Sequence, residues 1–305
     1  MRRVFFVLLC AVLLCAAVLS GAGLRVDHVT IAGSNLEALR RAFAGAGVPT
    51  EYGGRHSNRI TEMALSSFAD GSYLELIAPV AGADPSPHYW GAFMKANAGP
   101  CAWAVRSGNL AADTARLSSN AHNAFAVRSA AAGIAVEVEK AGRRRADGVE
   151  LKWATARIGP PPQGSFFPFM IADETPRDLR AFPGGKPTAR QIKGVLFVVV
   201  AVPNLAEAIS KYRSAFDLPA PVEQEDPTLG ARLASFPGSP AILAAPSRDH
   251  TWLQERLKQF GAIPCAFVFE APDWNAAGAA GTWFGRKLVW LDASRLGGAK
   301  IAIAR

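Results

Sequence analysis

HVTIAGSNLEAL, residues 28–39, and FVVVAVPNLAEAI, residues 197–209, follow one plan. Each is a strand, then a turn carrying Asn-Leu, then a helical pattern. Two more pairs repeat in the same order and at nearly the same offset. YLELIAP (73–79) matches PAILAAP (240–246), and PCAWAVRS (100–107) matches PCAFVFEA (264–271). Ordered repetition over such a distance is a mark of internal duplication.

Each half reads as two smaller units. The first has a strand near 24–33, a helix near 35–46 with Leu36, Leu39, Ala42 and Phe43 at helical spacing, and strands near 50–55, 60–68 and 72–78. A helix near 87–97 leads to a second unit, with a strand near 101–107, a helix near 110–119, a hairpin near 136–158 and a strand near 165–171. In the second half, strands are expected near 192–202, 219–224, 229–237, 240–245, 264–270, 284–292 and 299–304, with helices near 204–216 and 249–259. The pattern is α+β: tandem βαβββ modules. The expected division is a leader over 1–22, one domain over 23–174, a Pro- and Gly-rich linker over 175–188, and a second domain over 189–305.

The 305 residues suit two domains, and 50% hydrophobic with 19% charged residues suits a folded chain. The net charge of +8 includes Arg2 and Arg3 of the leader. The other positive residues are dispersed, and the one tight run, Arg143 to Arg145, precedes the turn dipeptide Asp147-Gly148. A solvated hairpin is expected there. With no nucleic-acid motif or aromatic platform beside it, a nucleic-acid partner is not expected.

Residues 1–22 combine Arg2 and Arg3, the apolar run VFFVLLCAVLLCAAVL and small residues at Ser20 to Ala22. They read as a secretory signal, hence a periplasmic or secreted protein, with an uncleaved anchor as the alternative. Cys10 and Cys15 each follow Leu, where lipoprotein processing needs a small residue. Cys101 and Cys265 fall on equivalent strands of different halves, so two buried, inert thiols are expected.

DGSYLELIAP, residues 70–79, places Glu75 inside an apolar run. A buried carboxylate is costly unless paired, protonated or bound to a cation. Strand alternation puts Val26, His28 and Thr30 on one face of the first strand, with Val29 and Ile31 on the other. Tyr73, Glu75 and Ile77 share a face of the closing strand. His56, in GGRHSN, is a candidate polar neighbour of Glu75. His88 is a weaker one, and His122 and His250 lack supporting context. The sequence contains no nucleophile elbow, P-loop or dinucleotide fingerprint.

LRVDHVTIAGSNLEAL, YGGRHSNRITEMALSSFADGSYLELIAP and GRRRADGVELKWATA together resemble the vicinal oxygen chelate superfamily, and more narrowly its glyoxalase-like domain family. The resemblance covers residues 24 to about 172, and the second half matches in layout. It implies that pairs of βαβββ units curl into cups. It also implies that a first-strand His and a last-strand Glu hold a divalent metal (Fe, Mn, Ni or Zn). His28 and Glu75 match those positions. The implied activity is that of a lyase, isomerase or dioxygenase, with Glu75 as ligand or base and His56 on the lid side. The metal positions of the other units are lost, with Ala102 and Phe197 opposite His28, Ile242 opposite Glu75, and no carboxylate before Asp173 in the second unit's last strand. Three roles stay open: a cup binding a small organic ligand without a tightly held metal, a metal-dependent enzyme, and a structural His–Glu pair. Tyr73, Trp103 and Phe169 are the expected cup walls, with Trp90 and Trp153 as further wall or core aromatics. The partner is a small molecule, with no membrane once the leader is cut; a homodimer is left open.

Overall fold

Short β-branched and aromatic runs form the strands, and an Asn ends the turn before each long helix of the first three units. In the computed structural model, which describes residues 23–125, 136–145, 147–275, 277–296 and 298–305, β1 spans Val26–Ala32 and α1 spans Leu36–Gly45. Asn35 Oδ1 accepts from the Ala38 amide at 2.8 Å, satisfying one of the free donors of the first turn of α1. The Asn-Leu motif recurs for the same reason. Asn109 caps α3 (Leu110–Phe125), and Asn204 caps α5 (Leu205–Phe216).

The first half continues with β2 (Glu51–Arg55), β3 (Thr61–Ser67), β4 (Tyr73–Pro79), α2 (Gly91–Lys95), β5 (Gly99–Arg106), β6 (Val136–Arg144), β7 (Glu150–Ile158) and β8 (Phe169–Asp173). They form one eight-stranded sheet in the order β2-β3-β4-β1-β5-β8-β7-β6. The second half has β9 (Gly194–Ala201), β10 (Val222–Asp226), β11 (Ala231–Ser235), β12 (Ala241–Pro246), α6 (Trp252–Phe260), β13 (Pro264–Glu270), β14 (Ala279–Trp283), β15 (Arg286–Trp290) and β16 (Lys300–Ala304). Its sheet order, β10-β11-β12-β9-β13-β16-β15-β14, is the same permutation. The chain is therefore α+β, two tandem sheets built from βαβββ modules, as the repeats predict.

Three details differ from expectation. Strand β14 falls where no strand is expected. The fourth module has no helix among the described residues between β13 and β14. Residues 175–188, read as a linker, contain the short helix α4 (Arg177–Ala181).

One apolar core joins the halves. Val29, Ile31 and Trp103 from the first sheet, Phe43 of α1, Tyr212 and Phe216 of α5, and Phe267 and Phe269 of β13 belong to a single buried cluster. The outer faces of both sheets thus pack together through the helices, and the cup faces point away. Arg256 of α6 adds a polar clasp to this apolar contact. Its buried guanidinium donates to the Ala98 carbonyl at 2.8 Å, to Pro100 at 2.5 Å and to Pro264 at 2.9 Å. Cys101 and Cys265 are buried free thiols on the neighbouring strands β5 and β13.

The second cup is filled. Phe197 and Ile242, the counterparts of His28 and Glu75, join the apolar cluster that includes Trp283 and Trp290. The register supports this correspondence, with Thr30 beside Glu75 in the first sheet and Val199 beside Ile242 in the second.

Arg256→Met should strip three buried carbonyls of their donor, at a cost of about 3 kcal/mol. Urea unfolding followed by far-ultraviolet circular dichroism measures it; an unchanged midpoint would show that the clasp contributes nothing.

Candidate functional site

A bulge in β1 builds the floor of the first cup. Against β5 the register steps from Val26 opposite Val105 to His28 opposite Ala104, so two residues of β1 span one step of β5. The extra residue is Asp27, and a bulge re-aims side chains in this way. Asp27 and His28 both serve the cup, whereas Val26 joins Val29 and Ile31 in the shared core. Simple alternation had placed Val26 beside His28, and the bulge corrects it.

Asp27 is fully buried. Its carboxylate is gripped by Arg180 of α4, with Nη1 donating to Oδ1 and Nη2 to Oδ2, each at 3.0 Å. Arg177 also donates to Oδ2. The Nε and Nη2 edge of Arg180 forks onto Asp173 at 2.5 and 2.9 Å, and its Nη1 donates to the Tyr73 hydroxyl. Two carboxylates thus balance two guanidiniums. Burial alone would raise the Asp27 pKa, but Arg180 and the His28 contact hold it well below the usual carboxylate range.

As an ionised carboxylate, Asp27 can only accept, so His28 donates Nδ1–H to it at 2.7 Å. This fixes the imidazole and leaves Nε2 toward the cup, 3.8 Å from Glu75 Oε2. The ring stacks on Tyr73, with centroids 4.8 Å apart, and meets the Phe169 ring edge-on. Glu75 has three partners. Thr30 donates its hydroxyl to Oε2 at 3.0 Å, His56 Nε2 lies 3.3 Å from Oε1, and His28 is the third. Burial pushes the Glu75 carboxyl up. The His56 hydrogen bond and the charges of His28 and His56 outweigh it and bring the pKa down to about 2. His56 is itself steadied by Thr61, whose Oγ1 lies 2.8 Å from Nδ1. His88 faces the same cavity, and burial lowers its pKa to about 4, so it is neutral at pH 7.

The cavity above this floor holds about 360 Å³, the scale of a small organic ligand. His28, His56, Tyr73, Glu75 and Phe169, all singled out in the sequence, line it together, as do Trp90 and Trp153. Trp103 does not. It is wholly buried on the opposite face of β5, in the core between the halves, because that face carries Trp103 and Val105 while Ala102 and Ala104 turn toward the cup. Three residues escaped sequence reasoning: Asp27, Arg180 and Arg143. Asp27 adjoins His28, and Arg177 and Arg180 have the spacing of one helix face, but nothing local joins positions 27 and 180. The Arg143 to Arg145 run is not a solvated hairpin throughout, since Arg143 is only 5% exposed and lines the cavity.

His28, His56 and Glu75 are chemically a fair start for a divalent metal. Their donors, however, meet different oxygens of Glu75, and among the described residues no three His, Cys, Asp or Glu side chains are grouped to hold one ion. The arrangement does not fit a metal centre as it stands.

A family model described as a glyoxalase-like domain matches residues 26–216, reaching through α4 into the second half. No curated protein matches the chain. A crystal structure of a hypothetical protein from Staphylococcus aureus is similar at 16% identity and TM-score 0.59, covering 92% of this chain and 98% of that one. Methylmalonyl-CoA epimerase from Mycobacterium tuberculosis is similar at 17% identity and TM-score 0.33, covering 37% of this chain and 88% of that one.

Asp27→Asn should cost about 3–5 kcal/mol in urea unfolding, because it leaves Arg180 with half its counter-charge in a buried site. Glu75 gives a pH signature. A depressed carboxyl pKa contributes stability that is present above the ordinary value of 4.5 and is lost as pH falls toward 2. Unfolding free energies measured from pH 6 to pH 2 should therefore fall by roughly 3 kcal/mol more in the parent than in Glu75→Gln. Parallel curves would show that Glu75 is not held ionised.

Proposed function

The chain belongs to the glyoxalase-like domain family, and on that premise we propose that its first cup binds a small, partly apolar organic molecule. The observation that carries this is the ionised Glu75, held by Thr30 and two imidazoles at the floor of an aromatic-walled cavity. A structural ion pair needs no such cavity, and in the second cup the corresponding space is taken by apolar side chains that include Trp283 and Trp290. Tyr73, Trp90, Trp153 and Phe169 supply apolar walls, and the polar floor orients the bound molecule. Export of the protein is part of the proposal and rests on residues 1–22, which lie outside the described residues. Among the described residues no helix is long and apolar enough to cross a membrane.

A second role, proton transfer to or from the bound molecule, draws on the Asp27–His28 pair. A carboxylate that holds Nδ1–H leaves Nε2 as the ring atom available to a ligand, the arrangement that makes an imidazole a general base. Glu75, with its pKa near 2, is a weak base and suits the part of stabilising the imidazolium that forms once His28 takes a proton.

Screening small organic molecules by tryptophan fluorescence, with Trp90 and Trp153 as reporters, tests the proposal. A ligand should emerge whose affinity drops about tenfold or more in His28→Ala and Glu75→Gln. It should be unchanged in Phe197→Ala, the equivalent change in the second cup. Affinity that is indifferent to all three changes would overturn the assignment. Near-stoichiometric metal after loading with Fe, Mn, Ni or Zn, lost in both first-cup variants, would put metal-dependent chemistry in its place.

A further inference from the structure

Arg143 has a job left undone. It projects from β6, one edge of the first sheet, and its Nη1 donates to the Gly53 carbonyl of β2, the other edge, at 2.5 Å. Its Nε and Nη2 are buried and have no hydrogen-bond partner. Those two N–H groups lie along one edge of the planar guanidinium and form the fork that matches the two oxygens of a carboxylate. The same cup shows the fork in use, because Arg180 presents its Nε and Nη2 to the two oxygens of Asp173. In Arg143 the equivalent edge has no hydrogen-bond partner.

A buried cation without an ion pair is expensive: burial lowers the Arg143 pKa, and the charges of Tyr73 and Glu75 offset this only in part. Charge counting narrows what could offset it. Of the charged groups lining the cavity, Arg180 is matched by Asp27 and Asp173, and Glu75 by the two imidazoles and Thr30. Glu139 lies at the exposed rim. Among the described cavity residues, Arg143 is the one buried guanidinium without an ion-pair contact. A singly charged, planar anion would neutralise it, whereas a dianion would bring a second negative charge into the space that holds Glu75.

We infer that Arg143 is the recognition residue for a ligand carboxylate, so that the cup takes a monocarboxylic acid with an apolar body. This rests on the small-molecule role of the cup and specifies its ligand class. The carboxylate would sit on the Nε and Nη2 edge of Arg143, and the body of the ligand against Tyr73, Trp90, Trp153 and Phe169.

Calorimetric titration of the purified protein with phenylacetate, phenylacetamide and phenyl phosphate tests it. Phenylacetate should bind at least about tenfold more tightly than its neutral amide, and phenyl phosphate no more tightly than phenylacetate. Arg143→Met should bring the acid-to-amide ratio to about one. Arg143→Lys keeps the charge but not the fork, and should lose most of the preference while retaining weak binding of both. It also carries the test should the Met variant fail to fold. An arginine that merely clips β6 to β2 would change stability in these variants without moving the ratio. Acid and amide bound alike by the parent, a ratio that survives in both variants, or a preference for the phosphate would overturn the carboxylate assignment while leaving the cup as a binding site. If none of the three probes binds, the carboxylate assignment falls, and the small-molecule role is decided separately by the wider ligand screen.

Discussion

The first cup depends on the buried contact between Asp27 and Arg180. It joins residues far apart in the chain, and each is costly without the other. Asp27 sits on a bulge that would otherwise bury a bare carboxylate in the middle of a sheet. Arg180 sits on the connector between the halves and would otherwise bury a bare guanidinium. Together they pin α4 across the end of the first sheet, fix the hydrogen-bonding edge of His28 and hold the Tyr73 hydroxyl. Hydrophobic residues of matching volume could stabilise the same contact equally well. The charged version does something they cannot: it orients an imidazole.

The chain carries two copies of one frame, and the copies differ in what fills the cup. Sheet order, register and helix caps are shared. Side chains at a few cup-facing positions are not. Where the first sheet has His28, Thr30 and Glu75, the second has Phe197, Val199 and Ile242, and two tryptophans occupy its interior. The apolar cup stabilises by burial, and the polar cup gives up some of that gain to keep a cavity with oriented charges. The shared core between the outer faces lets one half carry such a site while the other supplies packing.

Much of this was legible in the residues. Period-two runs located most strands, the Asn-Leu turns located three helices, and the carboxylate in YLELIAP pointed to a partnered Glu75. Strand β14 was missed because AAGTW lacks the apolar alternation that marks its neighbours. Trp103 was misassigned because a large aromatic in a strand suits either face, and the face depends on the register with β1. Arg143 was read as solvated because a basic run before a turn usually is; its neighbour Arg144 does pair with Glu150 on the surface.

The sequence by itself determined the repeated α+β modules, the loss of polar residues from the second cup, and the need of Glu75 for a partner. These follow from local periodicity and from equivalence between repeats, which need no knowledge of what lies across the sheet. Only the tertiary structure decided that Asp27 turns with His28 toward the cup, that Arg180 arrives from the connector to meet it, and that Arg143 is buried beside the cavity with an unpartnered edge. Each of these depends on a bulge or on curvature that brings distant segments together. Whether a charge is buried, paired or left open is a property of that meeting, and no local stretch of chain contains it.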